Sequence, residues 1–225
     1  MSPDAAPPRT TPRYIAVEGP IGVGKTTLAH MLSRELGART VLEEFEDNPF
    51  LREFYRDKDR VAFQTQVYFL MARFTQQEEL RQQDLFSRAV VSDYLFAKDR
   101  IFAYMNLSEP ELQLYERIYD LLRPQLVKPD LVVYLQARPQ VLVKRLRKRG
   151  RDFEATIQLD YLEELMRRYN QFFFHYEETP LLIADTSDSD YVNNRGCFDN
   201  LLELILSTHE GTRHVVLDEA GEPRS

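Results

Sequence analysis

The sequence predicts one α/β domain built on a five-stranded parallel sheet, and three observations carry that expectation. Five short apolar runs lack polar alternation, as strands buried on both faces do: Tyr14-Ile-Ala-Val, Thr40-Val-Leu, Ala89-Val-Val, Asp130-Leu-Val-Val-Tyr-Leu and Leu181-Leu-Ile-Ala. Helical patterns separate these runs, the order that a sheet covered on both sides requires. The chain has 225 residues, about one domain's length and enough to bury roughly 70% of its unfolded surface without disulfide or metal.

The elements follow in order. Met1 to Pro12 holds four prolines and little that could bury itself, which reads as a disordered lead-in over 1–12. The first strand meets glycines at once. A helix is expected from Lys25 to Leu36, closed by Gly37. Phe63, Val67, Leu70, Met71 and Phe74 form a helical stripe between Arg60 and Gln83. Glu109 to Leu122 reads as a helix with Ser108 as its cap and Pro110 in its first turn. Further helices are expected over Pro139 to Lys148, Asp160 to Tyr176 and Phe198 to Leu206. The main domain thus covers 13–209, and 210–225, with two glycines and mixed charge, reads as a loose tail.

Composition narrows the function. With 29 basic and 36 acidic residues the net charge is −7, which argues against binding polymeric nucleic acid through a basic face. The single Cys197 cannot form an intramolecular disulfide, which suits a reducing cytoplasm. No apolar run reaches the roughly 18 residues of a membrane span, and the first residues have no apolar signal core. The four histidines have no metal-ligand spacing, so no zinc site is expected. The run Phe172 to Tyr176 reads as buried packing or a dimer face, and Asp185 to Asp190 as a surface loop.

The strongest chemical signal is Gly19-Pro20-Ile21-Gly22-Val23-Gly24-Lys25-Thr26-Thr27, which matches G-x-x-x-x-G-K-[ST] between a strand and a helix. Its glycines let successive backbone N–H groups turn inward toward phosphate oxygens, and the helix start adds partial positive charge. Lys25 is placed to reach the β- and γ-phosphates and the Thr26 hydroxyl to ligate Mg²⁺. A nucleoside triphosphate such as ATP is the expected ligand. That leaves open a kinase acting on a small acceptor and a switch or motor that hydrolyses the nucleotide.

Carboxylates and cations beyond the loop bear on that choice. Glu43 and Glu44 end the second strand, where an α/β sheet opens toward its ligand, and a carboxylate there can take a hydroxyl proton. From residue type alone, a solvated acid is an equal alternative. Asp93 follows the third strand, a position suited to Mg²⁺. Gln66 and Arg73, seven residues apart, share a helix face, although the helix is rich in glutamine and both could face solvent. Residues 144–151 hold six cations, including Arg145, Arg149 and Arg151. They read either as a solvated helix end or as a lid closing over a phosphate, with Gly150 as hinge.

Taken together, these motifs resemble the deoxyribonucleoside kinase family, most closely its bacterial deoxyadenosine/deoxyguanosine kinase branch, from about Tyr14 to Leu206. The resemblance implies a P-loop kinase fold with a short arginine-rich lid over about 149–156, and a homodimer. It implies MgATP as donor and a deoxynucleoside as acceptor, with deoxyadenosine or deoxyguanosine expected first and deoxycytidine next. It makes Glu43 the register match for the family base, with Glu44 second because the family proline after the base is missing. Tyr55 and Glu154 then meet the sugar 3′-hydroxyl, Gln66 the base, and Arg73 pairs with Asp99. Arg145, Arg149 and Arg151 fall on family arginine positions, and Phe63 and Phe102 are candidates for walls of the base and equally for plain core.

Two departures stand out. Tyr94 occupies the place of the arginine that normally follows the strand-end acid, for which Lys98 and Arg100 are nearby stand-ins, and Phe153 replaces an acid in the lid. Rival expectations are a thymidylate-kinase-like enzyme, which needs an arginine free to clamp an acceptor phosphate, and a nucleotide-gated module without turnover.

Overall fold

The computed structural model describes residues 12–43, 47–83, 89–150 and 159–224. The lead-in expected over 1–12, all but its last residue, and the candidate residues Glu44, Arg151 and Glu154 lie outside them.

The chain alternates strands and helices as its patterning requires. β1 (Tyr14–Glu18) leads through the glycine-rich turn into α1 (Lys25–Leu36) and β2 (Arg39–Val41). The one-turn α2 (Leu51–Phe54) and the long α3 (Lys58–Gln83) precede β3 (Val90–Ser92). A short 3-10 turn over 96–98 runs into α4 (Asp99–Asn106), and α5 (Glu109–Leu122) then leads to β4 (Leu131–Gln136). α6 (Pro139–Arg149), α7 (Leu159–Phe174), β5 (Leu181–Asp185), α8 (Arg195–Ser207) and β6 (Thr212–Val216) complete the order.

The strands form one sheet in the order β2-β3-β1-β4-β5-β6, and every pairing is parallel. The sheet has six strands where five were expected. The sixth comes from the segment read as a loose tail: β6 pairs along β5 from Leu181↔Thr212 to Asp185↔Val216. Beyond it, Leu217 bridges Pro223, and Cys197 Sγ donates to the Glu219 carbonyl at 3.2 Å. The apolar signal was weak because β6 is an edge strand, with Val215 its one buried residue.

Alternate side chains of the central strands point to opposite faces. Ile15, Val17, Leu131, Val133, Leu182 and Ala184 meet α1 and α8 through Leu28, Leu32, Phe198 and Leu201. Tyr14, Ala16, Val132, Tyr134, Leu181 and Ile183 meet α4 and α7 through Ile101, Leu165, Tyr169 and Phe173. A second helical layer joins α3 to α5 around Leu70, Phe74, Tyr115 and Tyr119, and Phe63, one of the two candidate base walls, packs into it as core.

Local signals explain two of the helix starts. Ser108 and Glu111 form a capping box at α5, worth about 1 kcal/mol. α8 starts at Arg195 rather than Phe198 because the Asn194 side chain accepts from the N–H groups of Gly196 and Cys197. α2 and α4 had no sequence expectation. The aromatic run at the end of α7 divides: Phe173 and Tyr176 are buried, whereas Phe174 is 82% exposed.

The order of strands puts β1 at the switch point, with β3 on one side and β4 on the other. The crevice beyond the C-terminal ends of these strands is where an open α/β sheet accepts a ligand. The glycine-rich turn, the β2 end and the β3 end all reach it.

Candidate functional site

The glycine-rich loop is held open by its own backbone and its neighbours. Gly24 has φ of +110°, a region closed to most side chains, and a Cβ there would lie 2.6 Å from the Tyr191 hydroxyl. At the entry to the loop, the buried Glu18 accepts from Gly19 N–H at 2.9 Å, Leu95 N–H at 2.8 Å and the Tyr169 hydroxyl at 3.1 Å. Sequence reasoning passed over Glu18, although a carboxylate closing an apolar strand before the first glycine was the available signal. Lys25 Nζ donates to the carbonyls of Gly19 at 2.8 Å and Pro20 at 3.3 Å. Burial, with Lys98 close by, pushes its ammonium below its usual pKa.

Asp93 connects the loop to the strand ends. Thr26 Oγ1 donates to Asp93 Oδ2 at 2.5 Å, and the backbone N–H of Glu43 donates to Asp93 Oδ1 at 2.7 Å. A hydroxyl and a carboxylate oxygen side by side at a phosphate loop make a hard-oxygen pair. Mg²⁺ commonly uses one or two protein oxygens and takes its other ligands from phosphate and water. The donor set therefore fits that ion, and no cluster of three or more metal-binding side chains occurs among the described residues.

Glu43 is the junction of a buried charge network. Its Oε1 accepts from an Arg73 guanidinium N–H and its Oε2 from Lys98 Nζ at 2.6 Å. Burial pushes the carboxyl up, but the Arg73 and Lys98 charges outweigh it and hold Glu43 far below the usual carboxylate range. The second Arg73 N–H donates to Asp99 Oδ1. Asp99 is buried and its Oδ2 has no partner; burial, with the Glu43 charge adding to it, outweighs the Arg73 guanidinium and pushes the carboxyl from 3.8 up to about 6. Burial disfavours the Arg73 charge, yet the two carboxylates raise its pKa overall.

One cavity gathers Lys25, Thr26, Glu43, Tyr55, Gln66, Arg73, Asp93, Asp99, Phe102 and Arg149. Leu51, Phe54, Phe69 and Tyr161 line it as well. Gln66 and Arg73 face inward as one helix face should, both nearly fully buried, and Gln66 Oε1 is unpartnered. The glutamines of α3 divide by role: Gln77 is buried in structural bonds to Tyr14 and Val127, whereas Gln66 reaches the cavity. Phe69, which the sequence did not single out, supports Arg73, whose guanidinium lies 5.0 Å from its ring centroid.

A second cavity adjoins the first across the loop. It is lined by Gly22 to Thr27, Arg145, Lys148, Arg149 and residues Ser189 to Asn193. Besides lining this cavity, Arg145 donates from its guanidinium to the Val23 carbonyl at 2.9 Å and the Thr186 carbonyl at 3.1 Å. It braces the loop against the β5 end. Arg149 closes α6 just before Gly150, whose φ is +70°, and lines both cavities.

Tyr94 is fully buried in the core under α7, away from both cavities. Arg100 turns outward to Glu116 and Tyr104. Lys98, 3% exposed, joins Arg73 as a cation beside Glu43.

The arrangement can bind a phosphate chain along the loop, hold a divalent cation at Thr26 and Asp93, and offer a charged carboxylate to a hydroxyl group in the inner cavity. Comparison with known proteins bears on this chemistry. Residues 15–209 match the family model described as deoxynucleoside kinase. A deoxyguanosine kinase of Bacillus subtilis (strain 168) is 38% identical over 205 residues, covering 87% of this chain and 99% of the relative. A deoxyadenosine/deoxycytidine kinase of the same organism is 31% identical over 201 residues, covering 86% and 91%. The solved structure of deoxyadenosine kinase from M. mycoides with bound dATP superposes with TM-score 0.71 at 25% identity, covering 84% of this chain and 99% of that one.

Proposed function

Because the chain belongs to the deoxynucleoside kinase family, we propose that it transfers the γ-phosphate of ATP to the 5′-hydroxyl of a purine deoxynucleoside, deoxyguanosine or deoxyadenosine. The observation that carries this reading is the shared wall: Glu43 lies in one cavity with Lys25 and Thr26 of the loop and with the buried polar set Gln66, Arg73 and Asp99.

In the reaction, the acceptor 5′-oxygen bonds to the γ-phosphorus while the bond from phosphorus to the β–γ bridging oxygen breaks, and ADP leaves. Glu43 accepts the hydroxyl proton. Its depressed pKa makes it a weak base, so it first orients the hydroxyl and receives the proton late, as a loose phosphoryl-transfer transition state permits. Lys25 and the loop N–H groups bind the phosphate oxygens. Thr26 and Asp93 would hold Mg²⁺, which would supply neutralising charge for the phosphate chain.

Gln66 and the Arg73–Asp99 pair address the base, Phe102 and Phe69 flank it, and Tyr55 meets the sugar 3′-hydroxyl. Arg149 reaches the transferring phosphate, while Arg151 and Glu154 keep their assignments from family resemblance alone. Arg145 acts on ATP through the loop it braces. The commitment of Arg73 to both Glu43 and Asp99 disfavours a monophosphate acceptor, which would need that guanidinium as its clamp.

A homodimer in the cytoplasm completes the reading. Its support is the exposed Tyr104 on α4 and Phe174 at the end of α7, the lone buried cysteine, and the lack, among the described residues, of any helix long and apolar enough to cross a membrane. Equilibrium sedimentation tests the dimer.

ADP release from MgATP, measured with each of four deoxynucleosides and four deoxynucleoside monophosphates, tests the reaction. Turnover is expected with the purine deoxynucleosides, and Glu43→Gln is expected to lower kcat by about 10²–10⁴-fold. Turnover with deoxycytidine foremost would move the base preference, and turnover with monophosphates alone would overturn the acceptor.

A further inference from the structure

Lys98 is a buried cation outside the phosphate loop, in the 3-10 turn between β3 and α4. Its Nζ stands 2.6 Å from Glu43 Oε2 and 4.0 Å from Glu18 Oε2. Glu18 accepts three hydrogen bonds, from Gly19, Leu95 and Tyr169, and its Oε2 lies beyond hydrogen-bond distance of the ammonium. The short contact is the one to Glu43. An ammonium kept in the interior carries a desolvation cost that a well-packed apolar side chain would not, so stability alone is a weak reason for it.

We propose that Lys98 is a positioning residue for phosphoryl transfer, fixing the Glu43 carboxylate so that its free lone pairs face the acceptor hydroxyl. The proposal rests on the reading of Glu43 as the group that receives the hydroxyl proton. Arg73 cannot do this work by itself. It divides its guanidinium between Glu43 and Asp99, and it lines the cavity where the base is proposed to bind. When a base engages Arg73 or Asp99, Lys98 remains as the anchor on the other carboxylate oxygen. A single-point ammonium on Oε2 together with one guanidinium N–H on Oε1 defines the plane of the carboxylate. An error of about 1 Å in such a plane is enough to cost about 10²-fold in rate.

The test uses the full chain and compares Lys98→Met, Lys98→Gln and Lys98→Arg with wild type. It measures kcat and KM for ATP and acceptor, dissociation constants by calorimetry, and thermal melting. Lys98→Met and Lys98→Gln are expected to lower kcat about 10²-fold while both dissociation constants stay within about threefold, and Lys98→Arg to recover most of the rate. In a Glu43→Gln background, Lys98→Met should add less than about threefold, because it acts through Glu43.

An unchanged kcat would overturn the proposal. So would full additivity with Glu43→Gln, or equal loss in all three variants in step with lowered melting temperature. The cycle is run on whichever acceptor the wild type uses. A wild type that accepts only monophosphates refutes the acceptor reading and this proposal with it, because no 5′-hydroxyl then faces Glu43, whereas turnover of a deoxynucleoside without coupling between Lys98 and Glu43 refutes the proposal alone.

Discussion

Asp93 accepts the Thr26 hydroxyl at 2.5 Å on one carboxylate oxygen and the Glu43 backbone N–H at 2.7 Å on the other. One side chain at the end of β3 therefore sets the distance between the phosphate loop and the β2 end, where the proposed proton acceptor is held. Asp93→Asn keeps the shape but turns one oxygen into a donor. It is expected to raise the Mg²⁺ concentration for half-maximal turnover by about 10- to 100-fold, read by titration at saturating ATP. An unchanged midpoint would remove Asp93 from the metal site.

Gly24 faces two obstacles to replacement, one of backbone and one of space. Its φ of +110° strains any other residue by about 1–3 kcal/mol, and a Cβ would press on the Tyr191 hydroxyl. Gly24→Ala is expected to weaken ATP binding by about 10- to 100-fold, measured by calorimetry. Adding Tyr191→Phe should restore only part of that loss, because it removes the clash and leaves the backbone strain.

Asp99 yields a signed dependence on pH. Its carboxyl is raised from 3.8 to about 6, so the folded chain holds that proton more tightly than the unfolded chain does. Ionised Asp99 thus costs stability above about pH 6, and the cost disappears as the pH falls toward 4. Asp99→Asn is expected to melt above wild type by the largest margin at pH 7–8, with the margin shrinking toward pH 5. A margin that grows on acidification would show that the carboxylate is net stabilising.

The C-terminal strand makes a prediction about stability. Val215 and Leu217 are buried in the main core, and β6 covers the edge of β5. Removing residues 212–225 forfeits about 3–6 kcal/mol of burial, which for a chain of this size is a fall of about 10 °C in melting temperature. It also bares a strand edge, so aggregation at lower temperature is expected in light scattering. Unchanged melting would mean that β6 is dispensable.

The sequence by itself determined what depends on neighbours along the chain. Buried strands show as unbroken apolar runs, α5 shows its capping box, and the loop from Gly19 to Thr27 shows its chemistry because its ligands are consecutive backbone groups. That Gln66 and Arg73 share one face followed from helical spacing, but spacing could not say whether that face met the cavity or solvent.

Only the tertiary structure decided what depends on residues far apart in sequence. Glu43 stands beside Lys98 because β2 and the turn after β3 meet at the sheet's end, and nothing in a linear pattern separates that lysine from Arg100, which turns outward. That Arg145 braces the loop shows only where the Val23 and Thr186 carbonyls, 122 and 41 residues away in sequence, come within its reach. β6 has an edge strand's single buried residue, so its apolar pattern is too sparse to read, and the pairing along β5 is what marks it as a strand.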